Sequence, residues 1–149
     1  MRPITRILVP TDFSTGSRHA LELACDLATR LGVQLLIMHA YALPAYPLPE
    51  GVVLATPQQA AEIVSKSSQA LHRELEVARA HGIDADSILV EGDAFDSIMT
   101  VSKERDADLI VMGTHGRRGV AHALLGSIAE KLVRRAPCPV MTVRGNVRE

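Results

Sequence analysis

One stretch of the chain combines residue types and spacing that point to chemistry. Gly113-Thr114-His115-Gly116 is followed by nine residues and then by Gly126-Ser127. Glycines let backbone N–H groups face a ligand with no Cβ in the way. A helix starting at Ser127 would add N–H donors that lack partners and a partial positive charge. The Ser127 hydroxyl and the cations Arg117 and Arg118 belong to the same segment. Such a loop suits an anion, above all a phosphate. A plainer reading stands beside this one: Gly113 and Gly116 form a turn after a strand, and Ser127 caps a helix. Walker A spacing is excluded, because no Gly-Lys-Ser/Thr occurs. The dinucleotide fingerprint is excluded by position, since it follows a first strand.

Other polar residues carry weaker signals. Asp12, just after the first apolar run, offers a carboxylate that either accepts hydrogen bonds from a ligand or closes a turn before a helix. Ser14 reads as a helix N-cap. His115 lies inside the glycine loop, where it either meets a phosphate or faces solvent. His39 ends an apolar run and reads first as a histidine at the edge of the core. His19, His72, His81 and His122 show no metal-ligand spacing. Cys25 and Cys138 match no zinc or redox pattern and read as small apolar residues of a reducing compartment.

These residues need a scaffold. Five short, nearly continuous apolar runs supply strands: Ile7–Val9, Leu35–Met38, Ile88–Val90, Leu109–Met112 and Val140–Val143. Runs apolar on both faces belong to a parallel sheet covered on both sides. Helical periodicity lies between them. Ala20, Ala24, Leu27 and Leu31 mark a first helix ended by Gly32. The Pro-rich stretch from Pro44 to Pro57 reads as a loop. Ala60, Val64, Ser67, Leu71, Leu75 and Ala78 mark a long helix closed by Gly82. Asp93 caps a short helix bearing Ile98 and Val101. Ile128, Leu132 and Ala136 mark a last helix, stopped by Pro137 and Pro139. The alternation predicts an α/β fold, a doubly wound open sheet, with residues 1–149 forming one domain.

Composition agrees with that scaffold. The chain has 149 residues, 47% apolar but only 3% aromatic and without Trp, so the core must be aliphatic. A net charge of −1 argues against general attraction to nucleic acid or to an anionic membrane. Nothing at the N-terminus reads as a signal peptide, and no apolar stretch reaches the ~18 residues of a membrane span. The expectation is a soluble, cytoplasmic protein.

Gly113-x2-Gly116-x9-Gly126-Ser127, preceded by Asp108-Leu109-Ile110-Val111-Met112 and followed by Ala136-Pro137-Cys138-Pro139-Val140, resembles the universal stress protein family. The opening Ile7-Leu8-Val9-Pro10-Thr11-Asp12-Phe13-Ser14 is similar to that family's opening. The resemblance covers essentially the whole chain, and the complete glycine motif resembles the family's ATP-binding branch. It implies a five-stranded parallel sheet in the order 3-2-1-4-5 with helices on both faces, similar to the adenine nucleotide alpha hydrolases. The turn after strand one then faces the glycine loop across the point where strand order reverses.

The resemblance also implies site roles. Asp12 would meet the ribose or base of ATP, ADP or AMP, with Pro10 and Thr11 lining the pocket. The main chain at His39-Ala40 would meet the adenine. Met112, Gly113 and Ile128 would complete the pocket, and Gly116, Arg117, Gly126 and Ser127 would hold phosphates. Mg²⁺ or Mn²⁺ would arrive with the nucleotide. Family members pair across the fifth strand, which implies a homodimer through Val140–Val143, serving a downstream protein partner that the residues do not name. No acidic residue ends strand four to position a catalytic metal. The expected role is therefore an ATP-binding regulatory module. An interaction module of the same fold with an empty pocket and a slow ATP hydrolase are the alternatives.

Overall fold

A computed structural model of the chain describes residues 2–115 and 125–145. The first strand, β1 (Arg6–Pro10), leads through helix α1 (Thr15–Leu31) to β2 (Gln34–Tyr41). A hairpin of β3 (Ala45–Leu48) and β4 (Gly51–Leu54) follows, then the long helix α2 (Pro57–Ala80) and β5 (Ala85–Glu91). Helix α3 (Ala94–Glu104), β6 (Leu109–Gly113), α4 (Ser127–Arg135) and β7 (Val140–Val143) complete the order.

The main sheet runs β5-β2-β1-β6-β7 with every neighbouring pair parallel. This is the order 3-2-1-4-5 of the five apolar runs. At its centre Leu8 pairs in register with Leu36 on one side and Ile110 on the other.

Side chains alternate between the two faces, as the pleat requires. Ile7, Val9, Leu35, Ile37, Leu109 and Val111 meet α1 and α2 through Ala20, Leu21, Ala24, Leu71, Leu75 and Ala78. Leu8, Leu36, Met38, Ile110 and Met112 meet α3 and α4 through Ile98, Val101, Ala129 and Leu132. Two aliphatic cores on opposite faces of one sheet explain how the chain dispenses with aromatics. Cys25 lies in the first core as a free thiol, which burial, with help from the Glu22 charge, pushes up to about 11. Cys138 is also free and half-buried.

Local chemistry sets the helix ends. Ser14 caps α1, accepting the Ser17 N–H at 3.3 Å, and Gly32 closes it in the left-handed conformation at φ 66°. Thr56 and Gln59 form a reciprocal capping box at the start of α2, with Pro57 in the first turn. Asp93 caps α3 by accepting the Asp96 N–H at 3.0 Å.

Three local expectations need correction. Pro44–Pro57 is not simply a loop: β3 and β4 pair antiparallel, from Ala45↔Leu54 to Leu48↔Gly51. Pro47 is tolerated because a two-stranded ribbon has open edges where a missing N–H breaks nothing, and Val52-Val53-Leu54 has strand character. Leu31 is 52% exposed, because the buried line of α1 runs through Ala20, Ala24 and Ala28 and has left the sheet before the helix ends. Ile128 is 38% exposed, because Ala129 and Leu132 are the residues of α4 that face the core.

Candidate functional site

Strand order reverses at β1, whose neighbours β2 and β6 lead to opposite edges of the sheet. The carboxyl ends of these three strands form the crevice where open α/β sheets take ligands.

Pro10 ends β1 and is half-buried. Thr11 is buried, and its N–H continues the sheet by donating to Met38 O at 2.8 Å. Its hydroxyl lies 3.1 Å from both Ser17 Oγ and Glu74 Oε1 and accepts the Phe13 N–H at 3.0 Å. Asp12 Oδ1 accepts the Ser14 N–H at 3.0 Å, a turn closure that fixes the carboxylate just ahead of α1. Phe13 adopts φ 63°, a left-handed backbone that costs an aromatic residue about 1–2 kcal/mol. Its ring lies 4.3 Å from that of His39.

His39, near the end of β2, brings Nδ1 within 2.7 Å of Thr11 O. A carbonyl oxygen only accepts, so Nδ1 carries a proton and donates it to Thr11 O. Ala40 follows on the same strand, half-buried.

At the end of β6, Met112 turns its side chain into the core shared with α3 and α4. Its contribution to the crevice is therefore chiefly main chain. A Cβ at Gly113 would stand 2.9 Å from Gly16 C and 3.0 Å from Gly16 O, so the absence of a side chain lets α1 approach β6 backbone to backbone. Gly126 is similar: its N–H donates to Thr114 O at 2.6 Å, and a Cβ would lie 2.7 Å from that oxygen. Thr114 is buried, its N–H donating to Val143 O at 3.0 Å, and its hydroxyl lies 3.0 Å from His115 Nδ1.

Gly126 is the N-cap of α4 and has no side chain with which to cap it. The first intrahelical acceptor, Gly126 O, takes the Glu130 N–H at 2.9 Å. The N–H groups of Ser127, Ile128 and Ala129 precede that bond and have no acceptor within the helix. Ser127 occupies the first helical position rather than the cap and is exposed. Gly116 and Arg117, with Arg118 and His122, lie outside the described residues.

One polar residue here is absent from the sequence reading. Glu74 of α2 reaches beneath the end of β1 to Thr11, and its buried Oε2 has no hydrogen-bond partner among the described residues. Burial lifts its carboxyl above the usual glutamate range, against the Thr11 hydrogen bond and the Arg18 charge, while Asp12 adds to the rise. The signal was present, since Glu74 falls between Leu71 and Leu75 on the core stripe of α2, where a charge has no ordinary place. Gly16, the partner of Gly113, carried no such signal.

Among the described residues no group of three or more His, Cys, Asp or Glu side chains is placed to hold a metal ion. None of their helices is long and apolar enough to cross a membrane.

Comparison with known proteins places this arrangement. A universal stress protein of Thermus aquaticus is 33% identical over 139 residues, covering 93% of this chain and 97% of that protein. Universal stress protein UspA from Lactobacillus plantarum superposes with a TM-score of 0.83 at 23% identity, over 97% of this chain and 100% of that one. A universal stress protein solved in complex with cAMP superposes with a TM-score of 0.71 at 26% identity, covering 97% and 100% of the two chains. Residues 3–144 match the Universal stress protein family as a whole, and the chain belongs to that family.

Proposed function

We propose that the chain is a regulatory module that binds an adenine nucleotide, ATP foremost, in the crevice between β1 and β6. The observation that carries this reading is the start of α4. Its first N–H groups lack acceptors within the helix, its cap has no side chain, and Gly126 is held against Thr114 at the end of β6. A phosphate is the group such a terminus takes best. The relative bound to cAMP supports an adenine nucleotide as the ligand.

In this reading Asp12, steadied by the Ser14 N–H, accepts hydrogen bonds from the ribose. Pro10 and Thr11 line the pocket, and the main chain at His39, Ala40, Met112 and Gly113 meets the adenosine. Gly126, Ser127 and Ile128, with Gly116 and Arg117, hold the phosphates, and Mg²⁺ or Mn²⁺ enters with them. The nucleotide acts as a signal rather than as fuel, since β6 ends in Met112-Gly113 with no carboxylate to position a metal for phosphoryl transfer. A homodimer through β7 and a cytoplasmic location belong to the same proposal.

A second reading has its own support. Gly113 and Gly126 are each required by a close backbone approach whether or not a ligand binds, which also fits an interaction module whose crevice stays empty. Mass spectrometry of the small molecules released from protein purified without added nucleotide separates the two. An adenine nucleotide in near-stoichiometric amount is expected, and protein that neither carries one nor takes one up on incubation with ATP and Mg²⁺ contradicts the proposal.

A further inference from the structure

On the α1 and α2 face of the sheet, a cavity of about 420 Å³ opens between the turn after β1, the end of β2 and the middle of α2. It is lined by Phe13, His39, Lys66, Ser67, Gln69, Ala70 and Arg73. That volume lies within the range of small-molecule sites. Of its lining, only His39 belongs to the residues proposed to meet the nucleotide.

Two features of the lining set its chemistry. Lys66 and Arg73 stand two helical turns apart on α2, and neither forms an ion pair among the described residues. Glu74, the next residue after Arg73, is committed to the Thr11 hydroxyl instead. Two cationic side chains therefore line the cavity, neither within 4 Å of a carboxylate oxygen among the described residues. The second feature is the ring pair. Phe13 keeps its left-handed backbone, and His39 is locked by its bond to Thr11 O, so two rings 4.3 Å apart form a rigid wall whose cost is already met in the fold. Ser67 and Gln69 add neutral hydrogen-bonding groups.

We infer that this cavity is a second ligand site, for a small organic anion with a planar body, with Lys66 and Arg73 holding the anionic group and Phe13, His39 and Ala70 the planar part. Charge-assisted hydrogen bonds give the head its specificity, and the fixed rings bury the body without an ordering cost. The site shares only His39 with the crevice at the ends of β1 and β6, offering its ring here and its main chain there, and it lies on the α1 and α2 face of the sheet.

The test uses amide NMR spectra of the full chain titrated with three probes: phenyl phosphate, inorganic phosphate and benzyl alcohol. Phenyl phosphate, carrying both charge and ring, is expected to shift the amides of Phe13, His39 and residues 66–73 saturably, with an affinity on the order of millimolar for so small a ligand. Inorganic phosphate is expected to bind at least several-fold more weakly and benzyl alcohol not to saturate. Substituting Lys66→Gln and Arg73→Gln together, both exposed and so safe for the fold, is expected to weaken phenyl phosphate by about tenfold. Arg134→Gln, which removes a cation from α4, is expected to leave it unchanged. The shifts of residues 66–73 are expected to persist in the presence of excess ATP and Mg²⁺. Four outcomes would overturn the inference: no saturable shift at these residues, equal binding of benzyl alcohol, an unweakened double variant, or displacement of phenyl phosphate by the nucleotide.

Discussion

A methyl group at position 113 has nowhere to go. The backbone of Gly16 and Ser17 occupies the space from 2.9 to 3.2 Å around where it would sit, and backbone cannot rotate aside as a side chain does. Gly113→Ala is therefore expected to destabilise the fold by about 1–3 kcal/mol, read from urea unfolding, even with no ligand present. A wild-type midpoint in that variant would contradict the close approach. The glycine motif therefore serves packing at this position. Its spacing showed that backbone must come near something at 113 and 126, and clearance for a phosphate was one such something. That a distant glycine, Gly16, is the neighbour at 113 could not be read from spacing, because the meeting exists only once α1 lies on β6. Glu74 is the second case. Its folded-state pKa is raised, so what it contributes to stability is fully present below the unfolded value of about 4.3 and is lost as pH rises through the folded value. Glu74→Gln, which cannot ionise, is expected to be more stable than the wild type at pH 7, with the gap closing toward pH 4. Urea midpoints at the two pH values check this, and a gap independent of pH would contradict it.

At the scale of elements, apolar runs and caps told most of the story. All five strands of the main sheet and the four helices of the described residues announced themselves through apolar period, caps and terminal glycines, since each is a local property of the chain. The hairpin of β3 and β4 did not, because its prolines outweighed the strand character of Val52-Val53-Leu54 and its Pro47 is harmless only when both edges are open. Pairing at the amino end of the sheet was equally invisible. There Asp108 Oδ2 accepts the Thr5 hydroxyl at 2.7 Å and the N–H groups of Thr5 and Arg6 at 2.9 and 3.1 Å, tying the entry to β1 onto the entry to β6. The Thr5 hydroxyl and N–H hold this carboxyl below the usual aspartate range. Its contribution is accordingly present above the unfolded value of about 3.9 and lost as pH falls through the lower folded value. Asp108→Ala is expected to cost about 1 kcal/mol at pH 7, reduced from a buried bond's worth by solvent screening, and to cost less in acid. Thermal unfolding at pH 7 and pH 3 measures both halves of that statement.

The whole molecule is an open sheet with two edges, and β7 forms one of them. Pro139 O and Val143 O accept from Ile110 and Thr114 of the inner neighbour, so by the alternation of a parallel ladder the backbone groups of Val140 and Thr142 face outward. An apolar edge whose outward groups have no strand partner among the described residues invites a second copy. If the proposed dimer forms there, Thr142→Pro deletes one outward donor without touching the bonds to β6. A shift from dimer to monomer in sedimentation, with the circular dichroism unchanged, is the expected result, and a dimer that survives would place the interface elsewhere. The same view of the whole sheet sets the ligand question, because β1 and β6 part at its centre and the residues with site chemistry gather where they do. The most direct measurement is calorimetric titration of ATP and Mg²⁺ into the wild-type chain and into Asp12→Ala and Ser127→Ala. One saturable site per chain is expected in the wild type, weakened at least tenfold in each variant with the fold intact. A folded wild-type chain that gives no heat of binding across several temperatures, or variants that bind as tightly as it does, would contradict the account.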